Sequence, residues 1–268
     1  MTAANPSRHL INFAHQLADC STSTILPYFR SALVVENKLA GNGPEKFDPV
    51  TIADRAAETA MRELITAAHP DHSIVGEEFG RDARTPGLRW ILDPIDGTRA
   101  FMMGLPTWGT LIGLAEDESP VLGVMNQPFT GERFFSDGLA SFYRRGTIEH
   151  PINARRCGKL SDAVLSATSP AIFKTEAQWV RFLAISQRTR MTRYGGDCYS
   201  YCLVAAGHID IVIEASLETY DVAALIPIVE AAGGRMTSWN GGSALEGGQV
   251  VACGDPRLHE QVLALLAD

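Results

Sequence analysis

The chain has 268 residues, 46% of them hydrophobic and 20% charged, and a formal net charge of -8 at pH 7. That length supplies a sizeable core for one large domain or two smaller ones, and the balance of apolar and charged residues excludes a globally disordered chain. The negative charge argues against general affinity for nucleic acid, and fits a carboxylate-rich site that becomes less negative when a cation binds.

The first periodic segment, 9 to about 32, reads as an amphipathic helix. Ser7 is its candidate cap; Leu10, Phe13, Ala14, Leu17, Ile25 and Phe29 form its apolar face, and Pro27 bends it near its end. Residues 38–49 are polar and rich in glycine and proline, so they read as loop. A second helix spans 51–68, with Thr51 as cap and an alanine-rich packing face. A short strand at 72–76 leads into Glu77, and 80–87 is an exposed turn. The strand at 88–92 runs into Asp93-Pro94-Ile95-Asp96-Gly97-Thr98. Strands at 108–115 and 121–127 flank the acidic turn Glu116-Asp117-Glu118 as a hairpin, which 131–143 continues.

Apolar density then falls, with Pro151 and Gly158 interrupting regularity. Residues 1–150 are therefore read as an N-terminal α+β region carrying the acidic motifs. Residues 151–268 are read as a C-terminal α/β region that completes the site. In the latter, strands at 163–167, 189–193, 209–213 and 249–252 alternate with helices at 174–187, 199–206, 221–232 and 256–266. Gly233-Gly234 stops the third helix, and Pro256 suits the start of the last.

The cysteines are Cys20, Cys157, Cys198, Cys202 and Cys253. Their odd number and spacing match neither a disulfide framework nor a zinc cluster, so they are read as buried or free thiols. No stretch is long and apolar enough to cross a membrane, and no basic run precedes an apolar one at the start. The expected location is the cytoplasm, with no membrane or nucleic-acid partner.

Asp93 and Asp96 supply the carboxylate oxygens that hard divalent ions prefer, and the Ile95 carbonyl offers a neutral one. Gly97 permits a tight turn. The Thr98 hydroxyl can orient water, and the amides of Gly97 and Thr98 can donate to a phosphate oxygen. Two aspartates at this spacing also occur as simple turn caps, so their neighbours decide. Glu77 and Glu78 follow a similar apolar stub, and adjacent side chains on a strand point opposite ways. Glu77 is therefore read as a ligand and Glu78 as its support, against the alternative of an exposed acidic turn. Asp221 is either a helix cap or an acid facing the site. Asp54 either compensates the helix N-terminus or reaches Thr98 and water.

Taken together these stretches resemble the inositol monophosphatase-like family of metal-dependent phosphatases. Phe47-Asp48-Pro49-Val50-Thr51-Ile52-Ala53-Asp54 looks like its first motif, Gly76-Glu77-Glu78 its second, and Asp93-Pro94-Ile95-Asp96-Gly97-Thr98 its metal loop. Tyr220-Asp221-Val222-Ala223-Ala224 looks like the later motif, commonly written with tryptophan before the aspartate, and Ala231-Ala232-Gly233-Gly234 also fits. The resemblance implies an α/β fold, a layered αβαβα sandwich, often assembled as a homodimer. It implies Mg2+, two or three ions, held by Glu77, Asp93, the Ile95 carbonyl, Asp96 and Asp221. Thr98, helped by Asp54 or Glu78, would position the attacking water for direct hydrolysis of a small phosphate monoester. Metal ions would activate that water and neutralise the phosphate oxygens.

Finer features bear on the alcohol. Arg99-Ala100-Phe101 departs from the continuation usual in inositol-type members and is similar to the bacterial histidinol-phosphate phosphatase branch, as is Tyr194-Gly195-Gly196-Asp197-Cys198-Tyr199. Asp197 and Glu214 would pair with the ammonium or imidazole of histidinol; they can equally be a cap and a strand-end charge. Arg99 either touches phosphate or balances the acids from the rim. Trp108 and Tyr199 are read either as substrate-side aromatics or as core. The expected reaction is hydrolysis of L-histidinol phosphate, with inositol monophosphate or another small polyol phosphate as the alternative. A non-catalytic binding protein on the same fold is disfavoured because every acid and Thr98 are present.

Overall fold

The computed structural model describes residues 8–32, 35–37, 49–82 and 87–267. Ser7, the loop residues 38–48 with Phe47 and Asp48, and the centre of the 80–87 turn lie outside the described residues.

The apolar stripe from Ile11 to Ile25 winds α1 (Arg8–Ile25). The helix stops there rather than near residue 32, because Pro27 sits in a separate 3-10 turn, Leu26–Tyr28, and has no N–H to extend the ladder. The short strands β1 (Val35–Asn37) and β2 (Pro49–Thr51) pair antiparallel. Thr51 then caps α2 (Ile52–Ala68) in a capping box with Asp54.

A first sheet follows from β3 (Ser73–Gly76), β4 (Gly80–Arg81), β5 (Leu88–Asp96), β6 (Gly109–Glu116), β7 (Ser119–Gln127), β8 (Glu132–Ser136), β9 (Ser141–Arg145) and β10 (Ile148–Ile152), with α3 (Thr98–Met103) between β5 and β6. The strand order is β10-β9-β8-β7-β6-β5-β3-β4. Only β3 and β5 run parallel. The second sheet has the order β12-β11-β13-β15-β14. Its chain order is β11 (Val164–Ala167), α4 (Glu176–Ser186), β12 (Met191–Tyr194), α5 (Asp197–Ala205), β13 (Ile211–Leu217), α6 (Thr219–Val222), α7 (Leu225–Ala231), β14 (Arg235–Ser238), β15 (Gly248–Cys253) and α8 (Pro256–Ala267).

The buried clusters show how these pieces stack. One face of the first sheet (Trp90, Leu92, Ile112, Leu114) packs on α1 and α2 through Phe13, Leu17, Met61 and Ile65. Its other face (Ile91, Leu111, Met125) meets α5 and α7, which also cover Val212, Val250 and Ala252 of the second sheet. The far face of that sheet packs on α4 and α8 through Phe182, Ile185, Leu258 and Val262. The result is the layered αβαβα sandwich, an α/β fold.

Several elements differ from expectation. β5 does not end at Leu92 but continues through Asp93 to Asp96, with its pairing to β6 irregular between those two residues. Segment 131–143 is two strands, β8 and β9, split by a turn in which Asp137 Oδ1 accepts the amides of Leu139 and Ala140 at 2.9 Å each. β10, across residue 150, was not anticipated; it is a mostly exposed edge strand, where Pro151 is tolerated. β14 was not anticipated either. The helix expected at 221–232 is broken into α6 and α7.

The joint between the two helices packs closely on the first sheet. A Cβ on Gly123 of β7 would lie 1.9 Å from the Ala224 carbonyl oxygen, and one on Gly113 of β6 would lie 3.0 Å from Ala223 and Ala224 backbone atoms. The joint between α6 and α7 therefore rests on bare strand, and this contact delivers Asp221 to the end of β5. All the cysteines are free, four of them buried. Trp108 is core, packed on Phe29 and Phe101. Tyr199 is half-buried and donates to Glu132 Oε2 at 2.6 Å. Among the described residues no helix is long and apolar enough to cross a membrane.

Candidate active site

The buried run of β5 carries Asp93 out of the core and leaves it still covered. Asp93 Oδ1 accepts the Ile95 amide at 3.0 Å, which braces the irregular stretch of β5 around Pro94. The Pro94 carbonyl is tied down from β6, where Thr110 Oγ1 donates to it at 2.8 Å and lies 2.6 Å from Ser21 Oγ of α1. Both hydroxyls are fully buried. Gly97 then takes φ +81, and a Cβ there would meet Asp197 at 3.2 Å, so the turn needs glycine for conformation and for space.

Asp96 Oδ2 accepts the amide of Cys198, in the first turn of α5, at 2.8 Å. Asp221 was read as opening a helix; it is instead the third residue of α6, and its Oδ2 accepts the Glu218 amide at 2.7 Å. Each of these acids thus has one oxygen steered by a backbone N–H. Carboxylate oxygens of Asp93, Asp96 and Asp221 lie within 4.8 Å of one another. That trio, on oxygen-only donors, is capable of coordinating a divalent metal.

The electrostatics describe acids crowded by acids. Burial raises the Asp93 carboxyl well above its ordinary value, and Glu77, Asp96 and Asp221 raise it further. Burial and then Asp96 do the same to Asp221. Asp96 is pushed up to about 6 by burial, opposed by its Cys198 bonds. A bound divalent cation would favour all of the charged forms, so the residues present fit such an ion.

The other expected residues fall around this trio. Glu77 reaches Asp93 by charge and by a side-chain hydrogen bond. The Glu78 side chain is buried, with Oε2 3.9 Å from Arg55 Nε. The bond expected between Asp54 and Thr98 is not the one formed. Asp54 Oδ2 accepts from Thr51 N at 2.9 Å and from Thr51 Oγ1 at 2.5 Å, and Thr98 Oγ1 donates to the Ile95 carbonyl at 3.1 Å. Asp54 is pushed up to about 6, chiefly by burial, with Glu77 adding to it.

On the far side of Gly97, Asp197 opens α5 at φ +44, a left-handed conformation that costs a non-glycine residue about 1–2 kcal/mol. It is pushed up to about 8 by burial, Asp96 and Glu214, while exposed Arg99 lowers it. Glu214 is buried, with Oε1 accepting Thr168 N at 2.7 Å and Oε2 accepting Tyr201 Oη at 3.1 Å. Sequence reasoning missed Thr110, Ser21 and Glu58, three buried polar residues behind the site. Only Glu58 left a trace, one helical turn beyond Asp54 on the face that also carries buried Ala57 and Met61.

Known proteins share this arrangement of the whole chain. Bifunctional phosphatase IMPL2, chloroplastic, of Arabidopsis thaliana is 39% identical over 262 residues, 93% of this chain and 72% of that protein. A Histidinol-phosphatase of Mycobacterium tuberculosis is 38% identical over 220 residues, 81% of this chain and 84% of that protein. An inositol monophosphatase from Zymomonas mobilis superposes with a TM-score of 0.84 at 41% identity, covering 99% of this chain and 100% of that one. These relatives are of more than one type, so the resemblance to the histidinol-phosphate branch coarsens to the family. The model of the Inositol monophosphatase family matches residues 7–268, and the chain accordingly belongs to that family, as a metal-dependent phosphomonoesterase with its acid cluster at the end of β5.

Proposed function

We propose that the protein hydrolyses the phosphate monoester of a small alcohol, with two or three Mg2+ ions held by Glu77, Asp93, the Ile95 carbonyl, Asp96 and Asp221. The observation that carries this reading is the convergence of Asp93, Asp96 and Asp221, from two distant stretches of chain, to within 4.8 Å. When bound, the ions supply a water nucleophile and neutralise charge on the phosphate. The chain's own share is orientation. Thr98 Oγ1 spends its proton on the Ile95 carbonyl, so its lone pairs are left to accept from the attacking water. In this reading Asp54 or Glu78 assists Thr98 in placing that water, and the amides of Gly97 and Thr98 receive a phosphate oxygen. A homodimer is part of the same reading, checked by light scattering.

For the alcohol, an inositol phosphate or related small polyol phosphate is supported by the Zymomonas mobilis structure, which spans the whole chain. A second reading, L-histidinol phosphate, is favoured by the acids beyond Gly97. Asp197 is held against that turn at a strained φ, and its carboxyl and that of Glu214 lie close enough to raise Asp197. A carboxyl pair in that position suits an ammonium or imidazolium better than a neutral ring. Phosphate release with and without Mg2+, run in parallel on inositol 1-phosphate and L-histidinol phosphate, tests both readings. In the second, Asp197→Asn lowers kcat/KM for histidinol phosphate by about 10-fold more than for the inositol ester. Equal losses on the two esters would sink amine recognition while leaving the phosphatase reading intact.

A further inference from the structure

We propose that Glu58, which lies outside the acid cluster, is a positioning residue that sets the Glu77 carboxylate for a divalent cation; the proposal rests on Glu77 being a metal ligand. Glu58 is a charged side chain with 0% exposure, in the middle of α2. Burying a carboxylate is costly unless donors surround it. Here they do. Glu58 Oε2 accepts the Glu78 amide at 2.8 Å, and Oε1 accepts the Phe79 amide at 3.2 Å and Arg62 Nε at 2.7 Å.

Arg62, one turn further along α2, closes the other side. Its Nη2 donates to the Gly80 carbonyl at 2.6 Å, and its Nη1 to Asp82 Oδ1 at 3.1 Å. The turn between β3 and β4 is thereby gripped from below along its length. From the sheet side, the Glu77 amide donates to the Leu92 carbonyl at 3.2 Å, next to Asp93. Glu77 is left between two fixed anchors, with only its side chain to place.

The residue before it shows how close the grip is. A Cβ on Gly76 would sit 2.0 Å from Glu58 Oε1, so the Gly76-Glu77-Glu78 stretch needs glycine first because Glu58 occupies that space. β4 is only two residues long and lies at the sheet edge, so the ladder alone holds this turn weakly. Partners that orient a metal ligand from behind typically change affinity by about 10–100-fold when removed.

The test is Mn2+ binding to metal-free protein, followed by calorimetry and by the electron paramagnetic resonance of free Mn2+. Glu58→Gln presents an NH2 group to amide donors, and is expected to weaken Mn2+ binding by about 10-fold. Arg62→Met, at a side chain partly in contact with solvent, is expected to weaken it about 3-fold and keeps the test alive if the first variant does not fold. In a Glu77→Gln background the Glu58→Gln penalty should disappear, because the two changes act through one carboxylate. A purely structural Glu58 would lower Tm and leave Mn2+ affinity within twofold of the parent in the variants that fold; that outcome overturns the proposal. Failure of the parent itself to bind Mn2+ would overturn the ligand assignment, and the clamp with it.

Discussion

The two ends of β13 carry acids of opposite character. Just before the strand, Asp210 is fully buried and accepts Val164 N at 2.7 Å and Arg155 Nε at 2.7 Å, with a second Arg155 nitrogen on its other oxygen. Nearby Asp255 is treated the same way by Arg257 and the Cys157 amide, and Arg257 holds its carboxyl below the ordinary value. Just beyond the strand, Asp221 faces Asp96 and Asp93; Asp96 raises both of the others, and Asp221 raises Asp93. An acid that brings its own arginine offsets the desolvation of its charge; an acid that meets other acids does not. The first arrangement belongs to the fold. The second is incomplete without protons or a cation, and that incompleteness marks the site.

The largest expected effect comes from exchanging acids between these roles. Asp93→Asn and Asp221→Asn should each lower phosphatase activity by at least about 100-fold with the fold retained by circular dichroism. Because each removes a like charge from a crowded cluster, metal-free Tm should hold or rise. Asp210→Asn should do the reverse. Loss of its charge-assisted bonds costs about 1–3 kcal/mol, a Tm drop of roughly 3–10 °C, with activity of the folded protein within about twofold of the parent. If Asp210→Asn lost more turnover than Asp93→Asn, the division between structural and functional acids would be wrong.

The next effect separates the two ends by the sign of their pH dependence. On the site side the folded values are raised: Asp54 and Asp96 to about 6, Glu214 to about 7 and Asp197 to about 8. The unfolded chain binds fewer protons there, so the stability these groups contribute is complete below the ordinary carboxylate value of about 4. It is lost as pH rises through 6, 7 and 8. Metal-free Tm should therefore fall between about pH 5 and pH 8, and saturating Mg2+ should flatten that fall while releasing protons into a weakly buffered solution. Asp255, held low, works in the opposite sense and loses its contribution only on acidification. A metal-free Tm that climbs from pH 5 to pH 8 would contradict the crowded-acid description.

Much of this was legible in the sequence because local chemistry carried it. The Thr51 cap of α2, the apolar run into Asp93 and the glycine after Asp96 each need only their neighbours. Asp210 looks no different from Asp221 on paper; what distinguishes it is Arg155, brought in by the fold from 55 residues upstream, whereas Asp255 has its Arg257 two residues along the chain. Glu58 was missed, since its partners are amides 20 and 21 residues away. The break between α6 and α7 was hidden for the same reason: alanines suit a helix, and only Gly113 and Gly123 on other strands show how closely that backbone approaches the sheet. β10 was masked by its exposed edge, where burial leaves no alternation to read.

The smallest expected effect concerns how the site end is held. Thr110 and Ser21 form a buried hydroxyl pair whose outlet is the Pro94 carbonyl, one residue before the Ile95 carbonyl that Thr98 also contacts. Thr110→Val keeps the shape and removes the donor, leaving the Pro94 oxygen and the Ser21 hydroxyl short of a partner, at a cost of about 1–3 kcal/mol. If the β5 ladder alone fixed the loop, only Tm would move. The irregular pairing between Asp93 and Asp96 argues that it does not, since the ladder is disrupted where the acids sit. Thr110→Val should therefore also raise the Mg2+ midpoint of activity by about 3-fold, with KM for the phosphate ester changing less. A Tm drop with an unmoved Mg2+ midpoint would show that the bulged strand holds its carbonyls without help from β6 and α1.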